Sequence, residues 1–128
     1  MHTPELNHII LTVADVRRSR EFYDGVLGFE TTVIEEDPDE SFFFAVGDVS
    51  VFVFPSRRPI PGDRFSEFRI GLDHLAFTAP SKEASHALAD RLIAAGAETK
   101  GVEQFAPTGN WYVAFRDPDN IQLEYWLP

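Results

Sequence analysis

Polar and apolar positions along this chain alternate with two periods, and the whole sequence of periods occurs twice. Residues 6–14, LNHIILTVA, place Ile9, Leu11 and Val13 on one side of an extended chain and Leu6, His8, Ile10 and Thr12 on the other, the period of a strand. Asp15 follows as a helix N-cap. Val16, Phe22, Tyr23, Val26 and Leu27 then fall near helical spacing, and Gly28 is the stop. Residues 41–55, SFFFAVGDVSVFVFP, predict two strands joined by a tight turn at Gly47-Asp48.

The second round begins at residues 71–80, GLDHLAFTAP, a predicted apolar strand with His74 inside it and Pro80 at its end. Laying residues 72–80 on residues 6–14 aligns Leu72 with Leu6, His74 with His8 and Thr78 with Thr12. Ser81 stands where Asp15 did. Ala84, Leu88, Leu92 and Ile93 carry the helical period, and Gly96 stops it. Residues 111–126, WYVAFRDPDNIQLEYW, again predict two strands, with a turn at residues 117–120 where Pro118 presets φ and Asn120 tolerates a positive one. The order is β-α-β-β-β, twice. Strands in runs after a helix predict an α+β fold, with helices on one face of a mostly antiparallel sheet. The modules span about residues 5–55 and 71–128 of one domain. The linker, about 56–70, holds Arg57, Arg58, Arg64 and Arg69.

Composition narrows the chemistry. The chain has 128 residues, 44% of them hydrophobic, with 12 Phe, enough for a sizeable core. Its net charge of −10 argues against nucleic acid or an anionic membrane as the main partner. No apolar run approaches the roughly 18 residues of a membrane helix, and the N-terminus has no signal-like core, so the cytoplasm is the expected location. With no cysteine, a metal would have to use His and carboxylates. The acidic run at residues 35–40 reads as a surface loop.

His8 and His74 interrupt apolar strands at equivalent positions, so both look the same way. In the last strand Glu124 lies between Leu123 and Tyr125, where a carboxylate is costly to bury unless paired or bound to a cation. Two His and one carboxylate make a set that leaves positions open on a divalent metal. Taken singly, each has a plain alternative: a hydrogen-bonded core histidine, or a glutamate at a strand rim. Their joint placement carries the metal reading. Phe52 and Trp126 share the parity of this face and could wall a planar substrate or simply pack. Arg69, just before the His74 strand, could hold a substrate carboxylate or phosphate, or lie solvated in its loop.

These segments resemble the vicinal oxygen chelate superfamily, which includes glyoxalase I, extradiol dioxygenases, methylmalonyl-CoA epimerases and the fosfomycin and bleomycin resistance proteins. LNHIILTVADVRRSREFYDGVLGFE is similar to the opening module; GLDHLAFTA and FRDPDNIQLEYW are similar to the second. The resemblance implies paired βαβββ modules curled around a metal cleft, with His8, His74 and Glu124 at the ligand positions and one divalent ion per site, whether Fe, Mn, Ni or Zn. Four-ligand members add a carboxylate where this chain has Phe52. Members of this length commonly dimerise, and a homodimer is expected.

The function expected is that of a metal-dependent enzyme on a small oxygenated organic substrate, of lyase, isomerase or dioxygenase class, with no base that the residues identify. The alternative is a metal-free resistance protein of bleomycin-binding type that sequesters a cationic drug; the net charge and the aromatic residues suit it.

Overall fold

The computed structural model describes residues 2–128. The chain divides into two compact units, Met1–Pro61 and Gly62–Pro128, and each has the β-α-β-β-β order. The first contains β1 (His8–Val13), α1 (Val16–Arg20), β2 (Thr32–Val33), β3 (Phe42–Val46) and β4 (Val49–Pro55). The second contains β5 (Leu75–Thr78), α2 (Lys82–Ala94), β6 (Thr99–Phe105), β7 (Asn110–Arg116) and β8 (Gln122–Leu127). The fold is α+β.

Each unit builds a four-stranded mixed sheet, in the orders β1-β4-β3-β2 and β5-β8-β7-β6. In each, two pairings are antiparallel and one is parallel: β1 with β4, and β5 with β8. The parallel pairs follow from the intervening helix, because parallel strands need a long crossover. β3 with β4, and β7 with β8, pair through short turns. Gly47, at φ 57°, makes the two-residue turn between β3 and β4, where a primed turn matches strand twist. Between β7 and β8, Asn120 takes φ 70°. There Asp117 Oδ1 accepts from the Asp119 and Ile121 amides at 2.9 and 2.8 Å.

Helix starts are capped as the sequence indicates. The Asp15 carboxylate accepts from the Arg18 amide and the Ser81 hydroxyl from the Ala84 amide. The first helix departs from expectation. After Arg20 it widens into π-helical turns over Glu21–Val26. Of its apolar residues, Val16, Phe22, Tyr23 and Leu27 are nevertheless buried, and Val26 is half-buried. Tyr23 stacks on Phe44 with ring centres 5.5 Å apart.

One face of each sheet is covered. Leu11, Val13, Phe42, Phe44, Val51 and Val53 are buried in the first unit; Phe77, Val113, Phe115 and Leu123 are buried in the second, with Leu88 and Leu92 of α2. The opposite parity is open: His8, Ile10 and Thr12 in β1, and Ala76 and Thr78 in β5, are exposed. The strand predicted over residues 71–80 is shorter than its apolar pattern, since pairing with β8 begins at Leu75. Both histidines therefore stand at strand beginnings: His8 opens β1 and His74 precedes β5. Among the described residues no helix is long and apolar enough to cross a membrane.

β8 lies between β5 and β7, and its Leu123 is fully buried. Leu123→Ala is expected to destabilise the protein by about 2–5 kcal/mol, read as a lowered denaturation midpoint with an unchanged slope.

Candidate functional site

In the second unit the site starts from the register of one parallel pair. Ala76 of β5 and Ala114 of β7 are the neighbours of Glu124 on β8. Residues opposite each other on adjacent strands share a face, so the Glu124 carboxylate rises between two methyl groups. It is on a central strand, and its side chain is 15% exposed. His74, two residues before Ala76, brings its Nε2 to 3.6 Å from Glu124 Oε1. That is too long for a hydrogen bond. It is within reach of one ion bound to each atom at about 2.0–2.2 Å.

The other ring nitrogen is occupied. His74 Nδ1 donates to Asp73 Oδ1 at 2.6 Å, and Gln122 Nε2 donates to the same oxygen at 3.4 Å. An ionised carboxylate only accepts, so Nδ1 is the donor in this contact and Nε2 is the nitrogen that faces Glu124. In the first unit His8 Nδ1 makes the equivalent contact with Asn7 Oδ1 at 2.7 Å. His74 Nε2 and the Glu124 carboxylate are donor types that a divalent cation takes.

The corresponding row of the first sheet is filled. Phe52 of β4 has Ile10 and Phe43 as its neighbours. His8 meets the Phe52 ring edge-on at 5.9 Å, and Phe54 stacks on it at 6.0 Å. Bulky apolar side chains thus occupy the row that is Ala-Glu-Ala in the second unit.

Two further groups border Glu124. On one side Trp126 stacks on Tyr112, with ring centres 6.1 Å apart, and meets Phe105 edge-on at 5.8 Å. Burial, followed by the Glu103 carboxylate and then that of Glu124, pushes the Tyr112 phenol above its usual range. On the other side Arg116, the register partner of Gln122, forms a two-pronged ion pair with Glu67, both contacts at 2.8 Å. The same segment is held by Asn120 Nδ2 donating to the Phe65 carbonyl at 2.9 Å and by the Phe65 amide donating to the Asp119 carbonyl at 3.0 Å.

Of the residues singled out from the sequence, the structure brings His74 and Glu124 together, and sets His8 against Phe52. Trp126 lies on the Glu124 face within an aromatic ladder. Arg69 is exposed in its loop, with its guanidinium 3.9 Å from Asp63. Among the described residues no three His, Asp or Glu side chains gather into a group that could hold a metal ion. Asn7, Asp73, Gln122, Glu67 and Arg116 were not anticipated. The residue before each histidine was the available signal, since Asn7 and Asp73 also align in the repeat. Nothing local to the sequence links Glu67 to Arg116.

The fold and the histidine–carboxylate pair define a two-module protein of glyoxalase type. The Glyoxalase/Bleomycin resistance protein/Dioxygenase superfamily model matches residues 5–125, and the chain belongs to that family. It is similar to a glyoxylase/bleomycin resistance protein/dioxygenase domain from Frankia sp. EAN1pec, with 31% identity, 98% of each chain covered and a TM-score of 0.82. It is 28% identical to the protein YwkD of Bacillus subtilis (strain 168), over 94% of each chain. A lactoylglutathione lyase from Agrobacterium tumefaciens shares the fold, at 22% identity, a TM-score of 0.70 and coverage of 98% of this chain and 94% of that one.

Arg116 draws the Glu67 carboxyl down from an ordinary 4.5 to about 2. A depressed carboxylate stabilises the folded state above its unfolded pKa, and that contribution disappears as pH falls through the folded one. Glu67→Gln is expected to lower the melting temperature at neutral pH. The gap to wild type should close between about pH 4.5 and about pH 2. A gap that stays constant over that range would show that the ionised form of Glu67 contributes nothing.

Proposed function

We propose that this protein is a divalent-metal-dependent enzyme acting on a small oxygenated organic substrate in the cytoplasm, with His8, His74 and Glu124 as metal ligands. The observation that carries this is the convergence of His74 Nε2 and Glu124 Oε1 at 3.6 Å, with His74 Nδ1 already engaged by Asp73. A bound Fe, Mn, Ni or Zn ion would supply Lewis acidity toward neighbouring substrate oxygens. Family membership supports a small-molecule substrate, and the reaction is proposed to be of lyase, isomerase or dioxygenase class.

The protein's own groups do the rest. Ala76 and Ala114 leave room over Glu124 for a ligand. Trp126 and Tyr112 offer flat apolar surface to a planar substrate, and Phe52 does so from the first module. Phe52 also stands where four-ligand relatives are expected to carry a carboxylate, so that position supplies neither a fourth ligand nor a base. Arg116 is already engaged by Glu67 through two contacts and by the Asn120 carbonyl. Any acidic substrate group would instead meet Arg69, an exposed arginine.

The competing reading is a drug-binding protein. It draws on the Tyr112–Trp126–Phe105 ladder with Glu103 beside it, a surface suited to an aromatic cation. Metal content separates the two. Protein loaded with Fe(II), Mn(II), Ni(II) or Zn(II) and dialysed should retain close to one ion per chain by mass spectrometry. His8→Ala, His74→Ala and Glu124→Ala should each lose most of it. Wild-type protein that stays empty with every metal, yet binds an aromatic cation, would establish the drug-binding reading instead.

We also propose that the protein is a homodimer. Ile10, Ile60, Phe68, Ile70 and Leu72 are exposed large apolar side chains, and β1 and β5 are edge strands of their own sheets. Both features favour association. Light scattering at micromolar concentration should give twice the chain mass; the mass of a single chain would reject the proposal.

A further inference from the structure

The open face of the second sheet carries rows of side chains that cross its strands, and one row is small. Ala76 of β5, Glu124 of β8 and Ala114 of β7 are register neighbours. Opposite Ala114 the pairing of β6 slips, because Lys100 and Gly101 both lie between the paired residues Thr99 and Val102. This is a β-bulge, which bends a strand and re-aims its side chains. Thr99 pins it: the hydroxyl donates to the Ala114 carbonyl at 2.8 Å and accepts from the Gly101 amide at 3.1 Å. Gly101 takes φ 77°, and open space surrounds the place a Cβ would occupy.

The rows on either side are bulky. One holds Trp126 and Tyr112, stacked at 6.1 Å, with Phe105 edge-on to Trp126. The other holds Gln122 and Arg116, whose guanidinium is engaged by Glu67. Four residues along a strand separate these two rows, a distance of about 13 Å. Glu124 lies on the floor between them. The result is a trough across the sheet, aromatic on one side and polar on the other. The wall side chains take up part of its width, and the remainder suits a single ring.

The backbone plan does not require such a trough, as the first unit shows. By the repeat Ile10 stands for Ala76, and by register Phe43 stands for Ala114. The row Ile10–Phe52–Phe43 is filled. We propose that Ala76 and Ala114 are specificity-determining residues, which keep the trough over Glu124 wide enough for an uncharged single-ring aromatic alcohol. The ring lies against Trp126 and Tyr112, since aromatic pairs gain more than their buried area alone. Its hydroxyl donates to Glu124, which when ionised only accepts. A carboxylate on the ligand would be repelled by Glu124 and by Glu103, the register partner of Tyr112. The inference rests on the reading that this face takes the substrate, and it adds the size and charge of what fits.

The test is a titration of the full chain with benzyl alcohol, followed by NMR at the two indole N–H groups. Trp126 borders the trough. Trp111 shares the parity of Val113 and Phe115 on the covered face, with Lys82 Nζ 3.9 Å from its ring centre, and serves as the control. Benzyl alcohol should shift the Trp126 signal saturably and leave Trp111 in place. Benzoate, the same ring with a carboxylate, should bind at least about 10-fold more weakly. Ala76→Ile and Ala114→Phe import the side chains of the first unit, and each should weaken benzyl alcohol by about 10- to 200-fold. Ala76→Ser and Ala114→Ser stay small and should bind as wild type does. Ala76→Leu replaces either enlarged variant that fails to fold. Enlarged variants that bind as tightly as wild type would overturn the proposal and leave the reading of this face intact. Serine variants that lose as much as the enlarged ones, or benzoate that binds as tightly as the alcohol, would do the same. A Trp126 signal that no probe moves would overturn both. Failure of the metal reading shows in metal content and changes none of these outcomes.

Discussion

The register between β5 and β8 is the constraint on which the candidate site depends. Parallel pairing sets Ala76 beside Glu124, and His74 follows two residues back along the same side. A shift of one residue would turn Glu124 into the covered face and Leu123 out of it. Burial of Phe77, Leu123, Val113 and Phe115 resists that shift. The apolar face of the sheet thus locates the polar pair on the other face, with no contribution needed from the polar groups themselves.

The strand neighbours of Glu124 leave room around its carboxylate. Alanines on both flanks lower the crowding, and His74 Nε2 lies 3.6 Å away, too far for a hydrogen bond. Arg116, on the same face, is engaged by Glu67 through two contacts. The Glu67–Arg116 pair ties the segment around Phe65 to the turn between β7 and β8.

The two units show how one backbone plan holds different surfaces. The row Ile10–Phe52–Phe43 and the row Ala76–Glu124–Ala114 cross their sheets at corresponding places. Each parallel pairing is dictated by buried alternate residues, which leaves the opposite parity free to differ. The first unit uses that freedom for stacked rings beside His8, and the second for a hollow around a carboxylate. Asn7 and Asp73 stay alike in geometry and differ in charge.

By itself the sequence determined the module order, both helix caps, the tight turns and the parity of His8, His74 and Glu124. These follow from local periodicity and from side chains acting within a few residues of themselves, so they can be read without knowing the fold. It also determined family membership, through motifs spread over most of the chain. The widening of the first helix was not legible, because Phe22, Tyr23 and Leu27 satisfy a helical pattern before the turns open to seat Tyr23 on Phe44. Nor was the late start of β5, since an apolar run does not disclose where its partner strand begins. Tertiary structure alone decided that Glu124 lies on a central strand between two alanines, that Asp73 and Gln122 meet beside His74, and that Glu67 closes on Arg116 across 49 residues. Those contacts join residues far apart in the chain. Strand register and loop anchoring bring them together, and neither is encoded in any one segment.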